Sequence, residues 1–112
     1  MWLDVTDEET LRHLNRYIDL LHLPRDIMRV TTQRAKFARW IGRRLDNNYG
    51  GAYVYLSLVR EHAIFINLEK IDRSQPRALE VVVAEELVHM RDRLDGDLRG
   101  HAKHGYDRIA YR

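Results

Sequence analysis

Residues 74–93 read Ser-Gln-Pro-Arg-Ala-Leu-Glu-Val-Val-Val-Ala-Glu-Glu-Leu-Val-His-Met-Arg-Asp-Arg, and this stretch most constrains what the chain can fold into. Its pattern predicts one long helix over 75–94. Ser74 is placed to act as N-cap, and Pro76 falls in the first turn, where its missing N–H does no harm. Val82, Leu87, Met90 and Leu94 recur at helical spacing and form the expected buried stripe. Glu85 and His89 are four apart, so they project from one face, with Glu86 beside them. Two carboxylates and an imidazole inside an apolar helix are costly to bury unless something pairs with them.

The rest of the composition narrows the classes. A chain of 112 residues can form one small domain around a single core, and 45% hydrophobic with 32% charged residues describes a globular protein. The net charge of +2 is too small to announce a nucleic-acid binder by itself. The chain has no cysteine, which excludes disulfides, thiolate metal sites and cysteine nucleophiles together. No segment approaches the roughly 18 apolar residues of a membrane helix, and no signal-peptide pattern opens the chain. The expected location is therefore the cytoplasm.

In chain order, Trp2, Leu3 and Val5 are candidates to dock on the core. Thr6-Asp7-Glu8-Glu9 has the form of a capping box, with Thr6 as N-cap and Glu9 reaching back. The helix it opens carries Leu11, Leu14, Ile18 and Leu21 on one face and ends at His22-Leu23-Pro24; His13 and His22 read as exposed helix positions. Residues 26–32 suit a strand. Residues 34–45 alternate cations with Phe37, Trp40 and Ile41, favouring a short amphipathic helix over a twisted strand. Residues 46–51 form a loop, and the β-rich runs 52–59 and 63–68 form a hairpin, with His62 as a turn residue. Tyr53 and Tyr55 face one way and Val54, Leu56 and Leu58 the other. The apolar second run should be an inner strand. A last helical pattern over 106–111 is cut by the end of the chain at Arg112, leaving room for a longer protein.

The expected architecture is α+β: one domain over 1–112 with an N-terminal helix and a small, mostly antiparallel sheet packed on the central 75–94 helix. Metal-dependent hydrolysis needs three protein ligands, an open position and a nearby base. A zinc-binding helix can supply two ligands at i and i+4 with a glutamate after the first. Glu85-Glu86-Leu87-Val88-His89 has that spacing, with Glu where the first His would stand. His104, followed by Gly105, is the leading candidate for a downstream third ligand, and His101 is the other.

On these residues the sequence resembles the SprT-like (Spartan-type) minimal zincin metallopeptidases. A strand ending Ile-Asn-Leu precedes the helix, the helix reads Val-Val-Ala-Glu-Glu-Leu-Val-His-Met-Arg, and His104-Gly105 follows; together these span about residues 52–111. The resemblance implies a zincin-like fold, Glu86 as catalytic base, and Glu85, His89 and His104 as ligands of Zn²⁺ or another divalent ion. It also implies hydrolysis of peptide or protein substrates laid along the hairpin edge. The departure is Glu85 in place of the first His, which leaves either a Glu-His-His site or a degenerate one kept for its fold. If Glu85 is structural instead, an arginine such as Arg91 or Arg108 should pair with it. The alternative function is a non-catalytic binding module of the same fold. It would meet DNA or an acidic partner through Arg34, Lys36, Arg39, Arg43 and Arg44.

Overall fold

The computed structural model describes residues 2–45 and 49–96. The elements run β1 (Trp2–Asp4), α1 (Glu8–Leu20), β2 (Met28–Thr31), α2 (Arg34–Ile41), β3 (Gly51–Leu56), β4 (Glu61–Ile66) and α3 (Ala78–Leu94). They form an α+β fold with a four-stranded mixed sheet in the order β1-β2-β4-β3. The expected mostly antiparallel sheet is corrected here. β1 pairs β2 in parallel, β2 pairs β4 in parallel, and only β3–β4 is antiparallel. The reason is connectivity. The 13-residue α1 carries the chain back to the end of the sheet from which β1 started, whereas the connection through α2 and the short link over 57–60 each reverse the strand direction, which leaves β4 parallel to β2.

The sheet is covered on both faces. On one, Leu14 and Ile18 of α1 and Leu79, Val82, Val83, Leu87 and Met90 of α3 pack with Met28, Val30, Ile64 and Ile66. On the other, Phe37 of α2 packs with Ala63 and Phe65, joined by Trp40, Val54 and Leu56. The alternation along β4 makes it an inner strand apolar on both sides, as its sequence predicts. Each fully buried Leu, Ile or Phe contributes on the order of 1.5–3 kcal/mol.

The helix starts differ from the sequence reading. Asp7, not Thr6, caps α1: its carboxylate accepts from the Thr10 N–H at 3.0 Å and from the Thr10 hydroxyl at 2.7 Å. The same carboxylate is gripped by both Arg73 guanidinium nitrogens, at 2.9 and 2.8 Å, which ties the start of α1 to the loop before α3. α3 starts at Ala78, not 75. Ser74 and Pro76 belong to the preceding turn, where the Ser74 N–H and hydroxyl donate to Asp72, and left-handed Arg77 (φ 69°) turns the chain into the helix. Leu94 is exposed rather than part of the buried stripe. α1 stops at Leu20, and His22 lies beyond it with φ 53°. No helix among the described residues is long and apolar enough to cross a membrane.

Candidate active site

α3 packs against both the sheet and α1, so more of its circumference is covered than one stripe requires. Glu85, Glu86 and His89 are all buried, at 0%, 0% and 4% exposure. Both carboxylate oxygens of Glu85 are buried and accept no hydrogen bond from the described residues. Among the described residues the ion-pair partner of Glu85 is one helical turn on: His89 Nε2 stands 3.9 Å from Glu85 Oε1, too far for a hydrogen bond. Arg91, a partner considered for Glu85, is engaged elsewhere. It donates to the carbonyls of Leu21 and His22 at 3.1 and 3.3 Å and pairs with Asp95 at 3.0 Å.

Glu86 points toward the start of β3. A Cβ added to Gly51 would lie 2.9 Å from Glu86 Oε2 and 3.0 Å from the Phe65 carbonyl. Gly51 is thus required by close approach, because a side chain there would occupy the space of the Glu86 carboxylate. The segment is held in place by buried Asn67, whose N–H donates to the Gly50 carbonyl at 2.8 Å and whose amide donates to the Tyr49 carbonyl at 3.1 Å.

His89 sits under Tyr53 of β3, the two rings within 20° of parallel and 6.3 Å apart. The Tyr53 hydroxyl lies 2.6 Å from Nδ1 of His62. Burial pushes the Tyr53 phenol far above its ordinary range, so it keeps its proton. Burial, with the Arg93 charge adding to it, pushes the His62 imidazole down. His62 is therefore neutral near pH 7, and its tautomer sets which of the two groups donates across the contact. Tyr55 tilts against His62 at 5.0 Å, and the Arg93 guanidinium caps the Tyr55 ring at 4.3 Å.

His62 corrects the sequence reading. It is the second residue of β4, 2% exposed, and not part of a turn. Strand parity was the available signal: His62 stands two and four residues before Ile64 and Ile66, so a strand starting at Glu61 puts it on the α3 face. Gly51 and Tyr53 were likewise not singled out, though the predicted split of Tyr53 and Tyr55 from Val54 and Leu56 holds.

Of the predicted ligands, the fold brings Glu85 and His89 together. His104 and His101 lie outside the described residues, as does the expected helix over 106–111. Among the described residues, no three histidine, aspartate or glutamate side chains are grouped so as to hold a metal ion. A cleft of about 260 Å³ opens on the α1 side of α3, lined by Tyr17, Glu80, Val81, Ala84, Glu85 and Val88, away from Gly51 and His62.

The basic segment lies on the opposite face of the sheet. Arg34 stacks over Phe65 at 5.6 Å and reaches the Leu45 carbonyl, while Lys36 pairs with Asp4 at 3.1 Å. Arg39, Arg43 and Arg44 are exposed. The five cations thus divide into two that help hold α2 to the sheet and three that face solvent. Compared with protein-family models, curated proteins and solved structures, the chain matches none.

Proposed function

We propose that the chain is a metal-dependent peptidase of the minimal zincin type, with Glu85 and His89 on α3 holding a divalent ion such as Zn²⁺. The carrying observation is the Glu85 carboxylate, fully buried and accepting no hydrogen bond from the described residues, 3.9 Å from His89 Nε2. A buried carboxylate in that state is stable only if a cation reaches it or a proton neutralises it. An acid and an imidazole one helical turn apart are a donor set suited to zinc. His104, as the resemblance implies, supplies the third donor. When bound, the ion supplies Lewis acidity toward a peptide carbonyl and acidifies a water molecule.

The residues of the chain then divide the work. Glu86 takes the proton of the attacking water on its carboxylate and returns it to the leaving amine. Gly51 leaves Glu86 room on the β3 side. Tyr53, locked by His62, holds the His89 ring in orientation. An extended peptide adds to the outer edge of β3 as a further strand.

The deciding experiment is metal analysis of purified protein together with titration by Zn²⁺ and Mn²⁺, for the natural chain and for His89→Ala. Stoichiometric metal that His89→Ala loses supports the reading; equal metal content in the two overturns it. Peptide cleavage that disappears in Glu86→Gln with metal retained would assign the base. A non-catalytic module meeting DNA through α2 is the second reading, favoured by exposed Arg39, Arg43 and Arg44. In that case the slope of log K against log salt should shrink by about 1 per arginine removed.

A further inference from the structure

The sheet has two edges, and they differ. The β1 edge is three residues long and carries Asp4, whose carboxylate is engaged by Thr31, Gln33 and Lys36. The β3 edge is six residues long, with no partner strand on its outer side among the described residues. It pairs with β4 in unbroken register from Gly51↔Ile66 to Leu56↔Glu61, so no bulge bends it away. From Tyr49 to Val59 the sequence Tyr-Gly-Gly-Ala-Tyr-Val-Tyr-Leu-Ser-Leu-Val contains neither a charge nor a proline. Soluble proteins normally blunt an exposed edge with at least one of these devices, because a row of unpaired N–H and C=O groups is a template for another strand.

Three of the six exposed large apolar side chains among the described residues flank this edge; of the others, Trp2 lies on β1 and Leu20 and Leu94 at the ends of α1 and α3. Tyr49 is 54% exposed just before β3, and Leu58 and Val59 are 99% and 52% exposed just after it. We infer that β3 is a self-association edge, which pairs antiparallel with β3 of a second copy of this chain about a two-fold axis normal to the sheet. That symmetry turns the edge end for end. Tyr49 of one copy comes beside the partner's Leu58 and Val59, and the same contact repeats at the other end. The paired sheets continue as one, with α1 and α3 of both copies on one face and α2 of both on the other. The arrangement satisfies the open backbone groups and covers three exposed apolar side chains per copy. It stands on the sheet topology and not on the metal reading. A peptide substrate and the second copy compete for one edge, so association closes the site.

The test is sedimentation equilibrium of the full chain, natural and with Leu58→Lys plus Val59→Lys. These positions are exposed in the single chain, so the pair should leave the circular dichroism and melting temperature of the monomer unchanged. A reversible dimer in the natural chain, weakened by about tenfold or more in the double variant, is the expected result. The absence of native cysteine allows a direct check of the pairing. A residue on or beside the two-fold axis faces its own copy at disulfide distance, so oxidation of one among Tyr53→Cys, Val54→Cys and Tyr55→Cys should give a covalent dimer, whereas Leu20→Cys on α1 should not. A monomer up to millimolar concentration, as expected if another part of the chain covers the edge, overturns the inference. So does a dimer indifferent to the lysines. Metal content measured on the same samples reports on the peptidase reading separately.

Discussion

Gly51 and Glu86 compete for one volume. The space a Cβ at Gly51 would fill is already bounded by Glu86 Oε2 at 2.9 Å, Glu86 Cγ at 3.0 Å and the Phe65 carbonyl at 3.0 Å. The carboxylate end could rotate away, but the carbonyl belongs to the β3–β4 ladder and cannot. Gly51→Ala should therefore destabilise the fold by about 1–3 kcal/mol through overpacking, and should displace Glu86. Denaturant melts check the first part. If the peptidase reading holds, the second appears as a fall in kcat larger than any change in KM. A variant as stable as the natural chain would show that the strand end relaxes freely.

The Tyr53–His62 pair predicts a pH dependence. Burial lowers the folded-state pKa of His62 below its ordinary 6.5, so the unfolded chain takes up this proton more readily than the folded one. The contribution is fully present above about pH 6.5 and is lost as pH falls below it toward the folded value. Urea melts at pH 7.5 and 5.5 should show a smaller difference for His62→Gln than for the natural chain. Tyr53→Phe keeps the ring over His89 but leaves Nδ1 of His62 without its hydrogen-bond partner, at a cost of about 1–3 kcal/mol. An identical pH difference in His62→Gln would place the titration elsewhere.

Glu85 should be a stability liability in metal-free protein. Glu85→Leu keeps much of the volume and removes a buried carboxylate that accepts no hydrogen bond from the described residues. The expected result with chelator present is a gain of about 1–3 kcal/mol. Any rise in melting temperature on adding zinc should vanish in the same variant. Glu85→His should do the opposite and tighten zinc binding. A large loss of stability in Glu85→Leu would instead mean that the carboxylate has a structural partner outside the described residues.

Asp7 combines a helix cap with an ion pair, and the two parts are separable. Asp7→Ala loses both and should cost about 1–2 kcal/mol; Asp7→Asn keeps a capping oxygen and should cost less. Arg73, with Thr10 adding to it, holds the Asp7 carboxyl well below the usual carboxylate range. Its contribution is present above the unfolded pKa near 3.8 and is lost as pH falls below that. Acid unfolding followed by circular dichroism should begin at the same pH in Asp7→Ala and Asp7→Asn. In the natural chain it should be steeper.

The sequence by itself determined the features that depend on near neighbours. Three helices follow from apolar spacing, although the 34–45 and 75–94 patterns overrun the observed 34–41 and 78–94, and the hairpin follows from two β-rich runs with a short link. The 3.6-residue repeat alone puts Glu85 and His89 on one face. Tertiary structure decided whatever depends on residues remote in sequence. Trp2–Asp4 is too short to announce a strand, so the parallel pairing of β1 with β2 exists only once α1 returns the chain beside it. α3 is covered by both the sheet and α1, which buries Glu85 and Glu86 together where a single apolar stripe would have hidden only one face. Asp7 rather than Thr6 caps α1 through Thr10, three residues on, and what only the fold adds is the grip of Arg73, 66 residues away, on the same carboxylate. Lys36 left the basic face because Asp4 lies within 3.1 Å of it. Gly51 against Glu86, and Tyr53 between His62 and His89, are juxtapositions across the β3–α3 interface. No local pattern encodes them, because the free energy that places them comes from closing the core as a whole.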